Sequence, residues 1–576
     1  MDILNWIYLK ATNKIRKTFN NSSTDLIVLG ANVGFENRGD SYQSYGMTVN
    51  DFINQITSTI TNVNILFVSP NGLDTNPGSL EYPLKTLIAA KNLAVSGTLV
   101  YVLPGTYTFD NRTLAFNATV NTQVNLWKTG VNYYFSPGAI VNMYNITVTG
   151  VDLYLFRPTG GVYDTCNVFG SLEYNYYSQG ADSSNGAGFF FKGDEIGTKL
   201  GYTFNATVKS LTSYSTQIIS LERSSIDGAA LKSYVTITAE SVTLAYTTGQ
   251  SGAGTAILIR DISVLESNFN IKNFVSNNQG LYVRNSSSLS TVNANVDMMR
   301  CTNELVNIDS DLSGSHSYNI KQGFYSNASN LIGAVVGITG SAATKVAVTG
   351  NFYDAIGNSN RLVFGSNASG IVNLNISANV YTNNGSGTGR NIVTTNNANS
   401  TITYTGTVSY LGAVATTVAL ATATNGTIIM TGTVITGNMG GAMTATTSGS
   451  VTFEACRFTS AISGSCISTT SFTVGNCIIS NCLITASHAT ALGTVGNFTI
   501  VNSAIKNAGA GVGFLNAGAT GYLQLLGSTL VTTGGALAVN HSSTAAVTTA
   551  NSNSNSTITA TTLNGTITTL GAINII

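Results

Sequence analysis

Charge is what this sequence has least of. Only 9% of the 576 residues are Asp, Glu, Lys or Arg, against about a quarter in an average soluble domain. The 25 basic and 25 acidic residues cancel, and the lack of a basic stripe disfavours nucleic-acid binding. After residue 400 the charged residues are Glu454, Arg457 and Lys506. The two parts of the chain therefore differ in composition, which indicates two kinds of role.

Long hydrophobic runs, paired cysteines and histidine clusters are also missing. No run reaches the roughly 18 apolar residues of a membrane-spanning helix, so we expect no membrane insertion. In the N-terminal segment the basic residues follow the apolar ones, the reverse of a secretory signal, so we expect no export signal. The 6 Cys and 3 His show no CxxC motif and no zinc-ligand spacing. The sequence therefore predicts neither a metal nor a cofactor.

What the sequence does have is a repeated phrase of alternating apolar and polar residues that ends in a small residue. The phrase starts at Tyr202, Val235, Phe269, Val292, Tyr318, Val346, Val372, Ile402, Ile428, Val451, Phe472, Phe498 and Leu523. Alternation with period two predicts strands with one buried face, and the regular return of a short strand predicts a solenoid. The repeat length and the lack of helical periodicity favour an all-β fold, a right-handed parallel β-helix.

The sixth position of the phrase carries similar small side chains in successive repeats. These are Thr407, Thr433, Cys456, Cys477, Ser503 and Ser528. A ladder of similar residues is typical of parallel stacking. It would make Cys456 and Cys477 neighbours at a spacing that allows a disulfide, and two buried thiols are the alternative.

Residues 65–109 resemble the first coils of pectin-lyase-like parallel β-helix proteins. The likeness lies in a strand, a polar turn at Asp74–Gly78, a short helix and a Pro-Gly-x-Tyr turn at Pro104–Tyr107. The helix has one apolar face, made by Leu84, Leu87, Ile88 and Leu93. The resemblance implies that this helix caps the open end of the solenoid. It implies no activity, because the same architecture serves pectate lyases, bacterial adhesins and the spikes and fibres of bacteriophages.

The first sixty residues form a different kind of segment. An apolar stripe of Ile3, Ile7, Ile15 and Phe19 predicts an amphipathic helix. A small module ahead of a β-helix resembles the virion-anchoring end of phage fibres and tailspikes, and a cap or a self-association helix is the alternative. We therefore expect an anchor in residues 1–60, first coils with the capping helix in 61–200, regular coils in 201–530, and C-terminal coils or a tip in 531–576.

The resulting expectation is a bacteriophage-like virion fibre or spike that attaches to the host surface and is not an enzyme. We expect a homotrimer that contacts other virion proteins through its N-terminus and a host glycan or receptor elsewhere. It would be assembled in the host cytoplasm and displayed on the virion. The alternatives are a tailspike depolymerase, with Asp309 and Asp311 on one strand face as its acid pair, and a cell-surface adhesin. Tyr174, Tyr176 and Tyr177 are the candidate glycan-binding residues.

Overall fold

A computed structural model gives the structure of the protein, and it describes most of the chain from residue 64 onward. The described residues are 26–29, 45–48, 64–110, 125–145, 153–158, 164–178, 188–193, 201–214, 217–222, 233–245, 254–260, 265–284, 291–309, 314–325, 334–339, 344–354, 362–366, 370–382, 392–410, 421–437, 443–445, 449–460, 467–469, 476–486, 490–494, 497–507, 512–516, 522–532, 539–541, 546–550, 553–554, 567–569 and 574–575.

Strands dominate these residues. The elements up to residue 200 are β1 (Leu26–Leu29), β2 (Tyr45–Thr48), β3 (Ile65–Val68), α1 (Leu87–Leu93), β4 (Leu99–Val102), β5 (Gly105–Asp110), β6 (Asn132–Phe135), β7 (Ala139–Asn145), β8 (Leu153–Phe156), β9 (Asp164–Gly170), β10 (Glu173–Ser178) and β11 (Gly188–Lys192). Long and short strands then alternate in β12 (Tyr202–Ser213), β13 (Ile219–Glu222), β14 (Ser233–Leu244), β15 (Thr255–Arg260), β16 (Leu265–Ser276), β17 (Gln279–Arg284), β18 (Thr291–Cys301), β19 (Val306–Asp309), β20 (Ser315–Tyr325), β21 (Ala334–Thr339), β22 (Thr344–Asp354), β23 (Leu362–Ser366) and β24 (Val372–Thr382).

Beyond residue 390 the strands are short. They are β25 (Val393–Thr395), β26 (Thr401–Thr405), β27 (Thr407–Tyr410), β28 (Ala421–Ala423), β29 (Thr427–Thr431), β30 (Val434–Gly437), β31 (Met443–Ala445), β32 (Ser450–Glu454), β33 (Arg457–Ser460), β34 (Ile467–Thr469), β35 (Asn476–Ser480), β36 (Leu483–Ala486), β37 (Thr490–Thr494), β38 (Asn497–Val501), β39 (Ala504–Asn507), β40 (Val512–Asn516), β41 (Tyr522–Leu526), β42 (Thr529–Thr532), β43 (Val539–His541), β44 (Ala546–Ala550), β45 (Asn553–Ser554), β46 (Ile567–Thr569) and β47 (Asn574–Ile575).

The strands form parallel sheets in which each strand lies on the equivalent strand of the previous repeat. In the large sheet β12, β14 and β16 pair in succession, and the run continues to β24. The short strands between them form a second parallel sheet of 11 strands, from β8 to β31. Within the described residues the β1–β2 pair is antiparallel and stands apart from these sheets. The expectation of an all-β protein with parallel stacking is confirmed.

One row of residues in register runs through sixteen successive strands of the large sheet, each of which is one rung of the stack, and it faces inward from Cys166 to Phe498. The row is Cys166, Phe204, Val235, Ser267, Val292, His316, Val346, Leu374, Ile402, Ile428, Val451, Cys477, Phe498, Leu523, Val547 and Ile567. At about 4.8 Å per rung, fifteen steps span roughly 70 Å. The row's apolar members from Cys166 to Phe498 belong to one continuous core, and Ser267 and His316 are buried polar members of the row.

The row corrects part of the predicted phrase. Eight of the thirteen predicted starts lie on it, whereas Tyr202, Phe269, Tyr318 and Val372 lie two residues away, on the same strand face. The start at Phe472 is wrong, because Cys477 occupies this row and its strand begins at Asn476. Besides the strand that carries the phrase, each repeat contains one or two further strands.

A sharp corner separates two facets of the large sheet after residue 400. Residues with φ between 46° and 60° make the corner, namely Gly432, Ala455, Asn481, Asn502 and Gly527. The residue after each of them points inward, and these form the corner row of Thr433, Cys456, Cys482, Ser503 and Ser528. The ladder predicted at the sixth position is therefore confirmed for four residues. It is wrong for Cys477, which Cys482 replaces, and for Thr407, whose register partner is Val434.

Hydrogen bonds explain why the corner row needs Ser and Cys. The backbone N–H of Cys482 donates to Ser503 Oγ at 3.1 Å, and the N–H of Ser503 donates to Ser528 Oγ at 3.2 Å. The N–H of Cys456 likewise approaches Cys482 Sγ at 3.3 Å. A buried amide without a hydrogen-bond partner would cost about 1–3 kcal/mol. Each of these Ser or Cys side chains avoids that cost by accepting a hydrogen bond from the backbone N–H of the preceding rung. Cys456, Cys477 and Cys482 are free thiols in this arrangement.

Ala455 is the strained member of the corner, because its φ is 52° and alanine disfavours left-handed backbone. We expect Ala455→Gly to raise the free energy of unfolding by up to about 1 kcal/mol. Ala504→Gly is the control, because Ala504 opens an ordinary strand on the same facet and should lose stability. Urea unfolding of the three proteins checks the prediction, and a loss of stability in Ala455→Gly would contradict it.

The predicted capping helix is present and shorter than its apolar pattern. Helix α1 begins after Thr86, whose side chain accepts a hydrogen bond from Ala89 N–H, and Asp74 in turn accepts from Thr86 N–H at 2.8 Å. Leu84 lies ahead of the helix, bridged to Val68, and Leu93 is 51% exposed. Leu87 and Ala90 are the buried residues of the helix, and Ile88 packs partly buried against the core.

Candidate ligand-binding groove

Six charged residues form one row along the outer face of the large sheet, here named the charge row. Its members alternate in sign: Glu173, Lys209, Glu240, Lys272, Asp297 and Lys321. The register of β12, β14, β16, β18 and β20 aligns Lys209 to Lys321 on successive rungs, and Glu173 on β10 lies beside Lys209, opposite Ser210. In a chain with so little charge, six ions on one row are a marked concentration.

The charge row is held by ion pairs between neighbouring rungs. Lys209 Nζ lies 2.6 Å from Glu173 Oε1, Lys272 Nζ lies 3.2 Å from Glu240 Oε1, and Lys321 Nζ lies 2.6 Å from Asp297 Oδ1. The hydrogen bond from Lys209 to Glu173, together with the negative charge of that carboxylate, raises the pKa of Lys209. The pairs are solvated, so they contribute little stability each. The ion pairs fix the position of each charged side chain along the stack.

A groove of about 620 Å³ lies between the charge row and a parallel row of neutral polar residues. The neutral row consists of Thr207, Thr238, Asn270 and Asn295, and Asn295 Nδ2 donates to Asn270 Oδ1 at 3.1 Å. Val208, Ala239 and Ile271 form the floor, and Gly138 and Gly170 lie at one end. The volume is that of a ligand site. Its hydroxyl, amide, ammonium and carboxylate groups offer hydrogen bonds at a constant spacing along the stack.

The three candidate glycan-binding tyrosines do not form one exposed surface. Tyr174 and Tyr176 are fully buried in the core, so neither ring has a face free for a sugar. Tyr177 faces outward and is sandwiched between Tyr144 and Tyr214, with ring centroids 4.8 Å and 5.0 Å away. Alternation explains this outcome, because residues 174 and 176 share the inner face of β10 and residue 177 follows on the outer side.

A second outer stack of rings lies farther along the same sheet. Phe324, Tyr353 and Tyr381 stack with centroids 5.0 Å and 4.9 Å apart, and the Arg300 guanidinium covers Phe324 at 5.0 Å. The next rung carries Ser409. The far face of Tyr381 therefore has a small neighbour, and within this stack it is the ring face best placed to receive a ligand.

The described residues include one member of the predicted acid pair. Asp309 lies at the end of β19, partly buried, and accepts a hydrogen bond from the Tyr282 hydroxyl at 3.2 Å. Asp311 lies outside the described residues, as do Ile3, Ile7, Ile15 and Phe19 of the predicted anchor. These predictions stay predictions.

No group of three or more His, Cys, Asp or Glu side chains in the described part of the chain is placed to hold a metal ion. No helix among the described residues is long and apolar enough to cross a membrane.

No protein-family model, no curated protein and no solved structure matches the chain.

Proposed function

We propose that the stack is a right-handed parallel β-helix of the pectin-lyase-like kind, and that the protein is a homotrimeric virion fibre or spike. It attaches to the host surface by binding a glycan and does not cleave it. Residues 1–60 join it to other virion proteins. The protein is made in the host cytoplasm and displayed on the particle.

The observation that carries the proposal is the groove between the charge row and the neutral polar row. Its donors and acceptors repeat at every rung over four strands. A linear glycan also presents hydroxyl groups at regular intervals, so a periodic polar groove suits it better than it suits a single small molecule. The charges cancel along the row, which suits a ligand of low net charge.

A depolymerase is the second candidate, because Glu240 and Asp297 lie two rungs apart in this groove. Two rungs are about 9.6 Å, close to the upper end of the roughly 6.5–9.5 Å that inverting glycosidases use. Such an enzyme needs one carboxyl group that delivers a proton. Glu240 instead accepts a hydrogen bond from Lys272, and Asp297 is paired with Lys321. This arrangement favours binding over cleavage.

The test is binding of the full chain to an array of bacterial surface polysaccharides. Thr238→Trp fills the groove and should weaken binding by about tenfold or more, because an indole displaces the ligand from the space between the two rows. Ala347→Trp is the control, an exposed position on β22 outside the groove. Equal binding by the two variants would contradict the proposed site. Release of reducing ends that Glu240→Gln abolishes would favour the depolymerase.

The anchor is tested separately by deleting residues 1–60. The shortened chain should still bind the polysaccharide but should be absent from purified virions. Incorporation at the level of the full chain would show that the anchor lies elsewhere.

A further inference from the structure

The corner after residue 400 joins two outer facets that carry almost no charge. One facet is made by β26, β29, β32, β35, β38 and β41, and the other by β27, β30, β33, β36, β39 and β42. Among the described residues beyond 400, the exposed large hydrophobic side chains are Val434, Ile478 and Leu483, which are 38%, 37% and 40% exposed. Val434 and Leu483 directly follow the corner row, and Ile478 lies one outward row before the corner on the first facet.

Two opposite charges stand on either side of the corner at the same height. Glu454 is the last residue of β32 and Arg457 the first residue of β33, with the corner residues Ala455 and Cys456 between them. Both side chains are exposed, and neither has an ion pair within 4.0 Å in the described part of the chain. Lys506, the remaining charge of this region, lies two rungs farther along and one outward row away from the corner.

The two facets together give each copy a buried area of the size found in stable interfaces. Six rungs of about 4.8 Å and nine residues of about 3.3 Å give roughly 850 Å². In a ring each copy buries one facet against each of its two neighbours, so this total is close to the roughly 800 Å² that one partner buries in a standard interface. A surface with few charges also suits such burial, because the cores of interfaces are depleted in charged residues.

We propose that this corner is the contact between copies of the chain, and that Glu454 of one copy pairs with Arg457 of the next. Rotation about an axis parallel to the stack keeps every residue at its own height. It brings the first facet of one copy onto the second facet of its neighbour, so the two charges meet at each contact. The contact is heterologous and closes into a ring. This inference rests on the homotrimer of the proposed function and names its interface.

Charge reversal tests the pairing. Glu454→Arg and Arg457→Glu should each place like charges opposite each other and raise the protein concentration needed for half-assembly by about tenfold or more. The double variant E454R/R457E should restore assembly, because it exchanges the two partners. Lys345→Glu is the control, because Lys345 is exposed on β22 outside the two facets, and it should leave assembly unchanged. Assembly is measured as the native mass by light scattering, and the trimer is expected at three times 60.0 kDa.

The outcomes separate this inference from the proposed function. A trimer that survives both single reversals, or a double variant as weak as the singles, overturns the interface and leaves glycan attachment standing. A wild-type monomer at 60.0 kDa overturns the homotrimer and the interface together. Polysaccharide binding is measured by the groove variants, which lie on other rungs, and does not depend on either result.

Discussion

Gly350→Ala is expected to destabilise the stack by about 4 kcal/mol or more, which is exceptional for the addition of one methyl group. Gly350 has φ 140° and lies at an irregularity where β22 passes the Ile320–Gln322 segment of β20. A Cβ at this position would come within 1.7 Å of the carbonyl oxygen of Ile320. The obstacle is backbone, so neither a rotamer change nor a small shift relieves it.

Gly432→Ala is the control for this prediction. Gly432 also has positive φ, at 60°, but a Cβ there would have no atom within 4 Å. The cost should be the conformational penalty alone, about 1–2 kcal/mol, and the next rung already carries Ala455. Urea unfolding gives the two free energies, and hydrogen exchange in β20 and β22 locates the damage. Similar losses in the two variants would refute the close-approach argument.

These two glycines also show where sequence reasoning stops. Gly350 stands in VTGN and Gly432 in MTGT, and the repeated phrase treats them alike. The sequence predicts the fold class because alternation and repeat spacing are local properties that need no knowledge of register. It does not predict which carbonyl of the preceding rung faces a given glycine, because that depends on pairing between residues about 30 positions apart.

Register explains the other differences as well. A two-residue error, as at Tyr202 or Phe269, keeps a residue on its predicted face because side chains alternate with period two. The error at Phe472 is five residues, an odd number, so it changes the face. It placed Cys477 in the corner row, where the structure has Cys482. For the same reason the two residues of β10 predicted to bind sugar as exposed rings proved to be core.

The charge row escaped sequence reasoning for a related reason. The partners of its ion pairs are separated by 24 to 36 residues in the sequence, and unequal loops hide the common row. A signal was present: each of these charges follows an apolar strand core by a few residues in successive repeats. Alignment by strand register, rather than by the first apolar residue, makes the alternation of sign visible.

The stack should lose stability in mild acid through one residue, His316. The imidazole is buried in the inward-facing row between Val292 and Val346, and neither ring nitrogen has a hydrogen-bond partner. Desolvation by burial lowers the pKa of His316 from 6.5 to about 4. As pH falls, the unfolded chain therefore binds a proton before the folded chain does. The free energy of unfolding keeps its full value above about pH 6.5. It falls progressively as the pH drops toward 4, by about 3 kcal/mol in all.

His316→Val tests this origin, because valine occupies the same row on both adjacent rungs. The variant should be at least as stable as the wild type at pH 7.5, since it removes two buried nitrogen atoms without partners. Between pH 7.5 and 4 it should lose about 3 kcal/mol less than the wild type. Tyr318→Phe is the control, because it removes the neighbouring unpartnered hydroxyl and no group that titrates in this range. If His316→Val and Tyr318→Phe show the same dependence on pH as the wild type, the acid sensitivity comes from the carboxylates, and the buried imidazole is not its cause.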